Sequence, residues 1–72
     1  MRVFFDTSEG DSSQPDDGGL ELRDEAAVRG AAISALAELA GDYPRDPGPF
    51  RVVARAEDGR ILFRAELALT AG

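Results

Sequence analysis

The sequence predicts an α+β domain of order ββαββ, with one helix packed on an antiparallel four-stranded sheet. Three observations carry that expectation. Two alternating runs in the carboxyl third flank Asp58-Gly59, an Asp-initiated, Ala-rich stretch has helical spacing, and two short apolar segments precede it. At 72 residues the chain makes one small domain over 1–72, and a domain of that size buries only about 60% of the surface its unfolded form exposes. There is no cysteine, so neither a disulfide nor a thiolate-bound zinc staples the fold. The core must suffice, alone or helped by dimerisation.

The first strand is expected over residues 2–5, because Val3, Phe4 and Phe5 have high β propensity and Asp6 closes the run. Residues 7–17 are rich in Ser, Asp, Gly and Pro and read as a flexible acidic loop. A short strand follows over 19–22, with Leu20 and Leu22 on one face and Glu21 on the other, pairing back on the first. Asp24 is a good N-cap and Glu25 places negative charge at the positive end of the helix dipole. From there Val28, Ala32, Leu36 and Leu39 form an apolar stripe with Ala35 inside it. Gly41 is the natural residue just past the helix end, and residues 42–49 read as a Pro-rich connector stiffened by Pro44, Pro47 and Pro49.

Residues 50–57 and 60–69 then alternate around Asp58-Gly59, a pair suited to a two-residue type I′ turn. Such a turn sets position 57 opposite 60. Phe50, Val52, Ala54 and Ala56 then share one face with Leu67, Ala65, Phe63 and Ile61. The other face pairs Arg51 with Glu66, Val53 with Arg64, Arg55 with Leu62 and Glu57 with Arg60. The preferred spatial order is 2-1-3-4, which puts the first strand inside the sheet and the short second strand at an edge.

The net charge is −6, which disfavours nucleic acid and anionic membrane surfaces as partners. The charge is uneven, since from Pro49 onward Arg51, Arg55, Arg60 and Arg64 stand against only Glu57, Asp58 and Glu66. The amino terminus has three apolar residues before a carboxylate, and the longest apolar stretch, 26–40, carries Arg29, Ser34 and Glu38. Neither an export signal nor a membrane span is expected, and the reading is cytoplasmic.

The segments Phe4-Phe5-Asp6 and Asp16-Asp17-Gly18-Gly19-Leu20-Glu21-Leu22, the Ala-rich helix from Asp24 and the closing Asp-Gly hairpin resemble a family of short bacterial proteins known only as a domain of unknown function. The resemblance spans nearly the whole chain and implies no activity. Arg23 stands where family members often have proline. A looser likeness of plan is to certain toxin–antitoxin antitoxins.

With no histidine, cysteine or lysine, the chain lacks the usual bases, thiolate nucleophiles and Schiff-base amines, and no enzyme activity, cofactor or metal is expected. The acids of 6–17 do not follow the spacing of a calcium-binding EF-hand loop. Two surfaces remain. If Phe4 faces the helix, Val3, Phe5, Val53 and Leu62 lie with Arg51, Arg55 and Arg64 on the outer sheet face, where apolar groups ringed by arginine suit a protein partner. The bland alternative is an ordinary half-exposed sheet face. On the helix, Gly30, Ser34, Ala37 and Gly41 form a stripe of small residues. The functional expectation is a non-catalytic, homodimeric interaction module using the outer sheet face. The alternative is a nucleic-acid-linked or antitoxin-like regulator.

Overall fold

The computed structural model describes residues 1–42 and 49–68. The elements are β1 (Arg2–Glu9), β2 (Ser12–Gln14), β3 (Leu20–Glu21), α1 (Glu25–Asp42), β4 (Phe50–Ala56) and β5 (Ile61–Leu67). The fold is α+β, with one helix on an antiparallel sheet among the described residues, and the sheet has five strands there rather than four. Its order is β2-β1-β4-β5, and β3 also pairs with β1. The strand expected over 19–22 therefore lies at the edge where it was placed, but it shares that edge with β2. Residues 43–48 of the expected connector, and Leu69 at the end of the last expected strand, lie outside the described residues.

The extra strand comes from the segment read as a loop. β1 does not stop at Asp6 but runs to Glu9, and Gly10-Asp11 turns it into β2, so that Glu9 stands opposite Ser12. Gly10 has φ 58 and Asp11 is not at positive φ, the sign pattern of a type II′ hairpin turn. Serines and threonine tolerate this paired conformation because their hydroxyls stay exposed or half-buried.

Asp24 caps α1 as expected: the Ala27 N–H donates to its Oδ1 at 2.8 Å. The helix continues through Gly41 to Asp42, so Gly41 does not terminate it. Proline restrains only itself and the residue before it, and Pro44 leaves Asp42 free to be helical. Val28, Ala32 and Leu36 are buried, and α1 lies mainly over β4 and β5. Beneath it Phe50, Val52 and Ala54 of β4 are fully buried, with Val3 of β1 beside them. Burying a side chain such as Phe50 or Val52 contributes about 1.5–3 kcal/mol. The alanines let α1 approach the sheet closely, and Phe5, Leu22, Leu62 and Phe63 close the sides of this thin core.

The β4–β5 hairpin keeps the expected register from Phe50 to Ala54, opposite Leu67 to Phe63. Its tip differs. Gly59 N–H donates to Ala56 O at 2.9 Å and Ala56 N–H to Arg60 O at 2.8 Å, making a three-residue loop with only Gly59 at positive φ (90°). This is a type I turn closed by a glycine bulge rather than a type I′ turn. The odd loop length shifts the register by one, and a second bulge shifts it back: Arg55 stands opposite Ile61 while Ala54 stands opposite Phe63. Leu62 is the extra residue. As a result Leu62 and Phe63 both pack on the helix side, and Ile61 takes the outer side.

Two stability outcomes follow from this arrangement. Phe50→Ala should cost about 3–5 kcal/mol in chemical denaturation, enough to unfold most of a small domain. Leu62→Asp should lower the unfolding midpoint sharply and Ile61→Asp should leave it nearly unchanged; the reverse ranking would mean that the bulge is misplaced.

Candidate functional site

No described helix or strand covers the outer face of the sheet, and only the loop of residues 15–19 crosses one end of it. Its side chains fall into three rows set by strand register: Phe4, Arg55 and Ile61; Asp6, Val53 and Arg64; Ser8, Arg51 and Glu66. Along the β5 side of these rows lies a shallow groove of about 510 Å³, lined by Arg51, Val53, Ile61, Arg64, Ala65 and Glu66. Ile61 is 48% exposed there.

Of the residues expected on this face, Arg51, Val53, Arg55 and Arg64 are on it. Val3, Phe5 and Leu62 are not. Val3 and Phe5 stand opposite Ala56 and Ala54 and join the core beneath α1, while Phe4 takes the outer side. Three apolar residues in a row cannot fix which face is which. The signal lies just beyond them: continued past Asp6, the strand puts Phe4, Asp6 and Ser8 on one side and Val3, Phe5 and Thr7 on the other. Only the second set suits a core. Leu62 moves because of its bulge, which the sequence pattern does not announce. The outer-face residues that sequence reasoning missed are therefore Phe4, Asp6, Ser8 and Ile61.

At one end of the face the edge of β1 is interrupted. β3 pairs with Arg2 and Val3, and β2 pairs with Thr7 to Glu9, which leaves Phe5 facing a gap. Asp16 fills it. The Phe5 N–H donates to Asp16 Oδ2 at 3.0 Å, and the Gly18 and Gly19 amides donate to Oδ1 at 3.0 and 3.3 Å. The Asp16 N–H donates in turn to Asp6 Oδ1 at 2.8 Å. Arg55 ties both acids to β4: its Nε donates to Asp6 Oδ2 at 2.7 Å and its Nη2 to Asp16 O at 2.9 Å. The guanidinium also lies over the Phe4 ring, 4.8 Å from the centroid. Gly19 covers that ring from the loop side at φ 73, where a Cβ would stand 2.9 Å from Arg2 Cγ and 3.0 Å from Phe4 Cε1. Only glycine fits.

The electrostatics follow. The Arg55 hydrogen bond holds the Asp6 carboxyl below its ordinary pKa against the opposing effect of desolvation. The Phe5 amide, helped by those of Gly18 and Gly19, does the same for Asp16. Elsewhere on the face Arg51 donates from Nε and Nη2 to Glu66 Oε2 at 2.9 and 2.6 Å. Among the described residues Arg64 has no carboxylate within ion-pair distance. No group of three or more possible metal ligands occurs among them either, and no described helix is long and apolar enough to cross a membrane.

A model of the family described as Domain of unknown function (DUF6894) matches residues 2–68, and the chain belongs to that family. No curated protein and no solved structure matches it. The segments Phe4-Phe5-Asp6 and Asp16-Asp17-Gly18-Gly19, distant in sequence, meet in this network.

Because both carboxyl pKa values are depressed in the folded state, the stabilisation they bring is present above the usual carboxylate range. It is lost as pH falls through the lowered values. Thermal melts should therefore show stability dropping below about pH 4, and Asp16→Asn should blunt that drop. At neutral pH Asp16→Asn should cost about 1–2 kcal/mol, since the single amide oxygen can accept from Phe5 or from Gly18 and Gly19 but not from both. Gly19→Ala should cost about 1–3 kcal/mol through backbone strain, with further loss from the contact with Phe4. A melt unchanged by either substitution would rule out the proposed anchoring of the edge.

Proposed function

We infer that this protein is a non-catalytic interaction module, homodimeric, that binds another protein through the outer face of its sheet. One observation carries the reading: an uncovered face whose apolar floor, Val53 and Ile61, is framed by side chains already held in place. Arg55 is held by Asp6, the Asp16 carbonyl and the Phe4 ring, and Arg51 is paired with Glu66, so binding freezes little extra freedom at Arg55. The partner that suits this face offers an apolar side chain to the groove and a carboxylate to Arg64.

The rival reading, a nucleic-acid-linked or antitoxin-like regulator, is weakened by the same ion pairs. Phosphate binding needs available cations, and Arg51 and Arg55 are engaged by carboxylates on an acidic chain. Catalysis has little to work with, since Asp6 and Asp16 are occupied by N–H and guanidinium donors and no histidine, cysteine or lysine is present.

The test is a comparison of variants in co-purification from the native host. Val53→Lys and Ile61→Asp are the useful substitutions, because an aspartate at 53 would face Asp6 across the β1–β4 pair. Both should lose a partner retained by the wild type while their melts stay within about 0.5 kcal/mol of it. Partner retention by both folded variants would refute the outer face as the binding surface. Tight, steeply salt-dependent binding to DNA or RNA would favour the regulator instead.

A further inference from the structure

The outer edge of β5 pairs with no strand among the described residues, and an open edge of seven residues is a template for another strand. We propose that its occupant is the β5 of a second copy, paired antiparallel about a two-fold axis at Ala65, so that two sheets join into one. The proposal gives a geometry to the homodimer in the reading above and does not depend on an outer-face partner.

The register comes from chemistry along the strand. A two-fold axis perpendicular to the sheet sets one residue opposite itself and pairs its neighbours reciprocally. An axis at Arg64 opposes two guanidinium groups, and one at Glu66 opposes two carboxylates; both are unfavourable across strands. An axis at Phe63 sets Arg64 against the bulged Leu62, where the ladder is irregular. An axis at Ala65 avoids all three. It opposes Arg64 with the partner's Glu66, and Glu66 with the partner's Arg64. On the helix side it places Phe63 against the partner's Leu67 and Ala65 against the partner's Ala65, small enough for close approach.

Two features of the single chain fit this pairing independently. Both Arg51 bonds to Glu66 end on Oε2, which leaves Oε1 to accept a second guanidinium, and Arg64 has no ion-pair partner among the described residues. Leu67, 39% exposed at the strand's end, gains an apolar neighbour. The thin core gains from added burial.

The experiment is a charge swap read by light scattering. Wild type should have the mass of a dimer. Arg64→Glu and Glu66→Arg each turn two attractive cross-strand pairs into repulsive ones and should weaken the dimer about tenfold. Mixed together, they restore both pairs and should form a heterodimer. Single cysteines in this cysteine-free chain report the register: Ala65→Cys should crosslink on mild oxidation and Arg64→Cys should not. A strict monomer at high concentration would overturn the proposal. So would a failure of the two folded charge variants to heterodimerise, or crosslinking through position 64 in place of 65. Ile61 lies outside the paired stretch, so Ile61→Asp should stay dimeric even where it loses an outer-face partner. A dimer lost in Ile61→Asp, yet insensitive to the charge swap, would place the contact on the face and overturn the edge geometry.

Discussion

The outer face depends on how the edge of β1 is finished between its two short neighbours. A central strand with a gap in its ladder must satisfy its backbone donors some other way, because an unpaired amide away from water is costly. Asp16 stands in for the missing strand residue. Its carboxylate accepts the Phe5 amide while its own amide donates to Asp6, so the loop of residues 15–19 becomes part of the sheet edge. That placement draws Arg55 toward both acids and over Phe4, and it leaves Gly19 as the only residue that fits above the ring. One carboxylate thus sets the positions of an arginine on β4, an aromatic ring on β1 and a glycine in the loop between β2 and β3.

The sequence pattern revealed much of the fold because most of it rests on short-range rules. Asp24 as cap, the Val28–Ala32–Leu36 stripe and the inward alternation of Phe50, Val52 and Ala54 each follow from local periodicity, and each has a matching position in the structure. The edge position of the short strand at Leu20-Glu21 followed from a topological rule. β2 was missed because its serines carry no apolar signal and its pairing is dictated by the turn at Gly10. The tip of the last hairpin was misread because Asp-Gly serves a three-residue loop as well as a two-residue one. The error was confined to residues 55–62, since the bulge at Leu62 cancels the offset of the loop.

The candidate site was less legible for the same reason. Face assignment on β1 turned on whether Asp6 ended the strand or belonged to it, and the decisive partner, Arg55, lies 49 residues away in sequence. Long-range charge pairing leaves no periodic trace. Once Asp6 is recognised as a strand residue with an outward partner, Val3 and Phe5 must point to the core, and the outer face gains Phe4 in their place. The arginines then change character as well. Arg51 and Arg55 become paired parts of the surface, and of the three arginines on this face Arg64 alone has no neighbouring carboxylate among the described residues.

The interruption that Asp16 repairs also makes the two ends of the sheet unlike. At the β5 end the backbone runs on through seven consecutive residues, whereas the opposite end is split into segments of three and two residues separated by a loop crossing over the face. A strand arriving at the split end would find no straight, continuous ladder to extend. Stacking sheet upon sheet into an open-ended filament requires two mutually compatible ends, one to receive and one to offer. Among the described residues this molecule has one, so the pairing proposed at β5 would close on itself after a single addition.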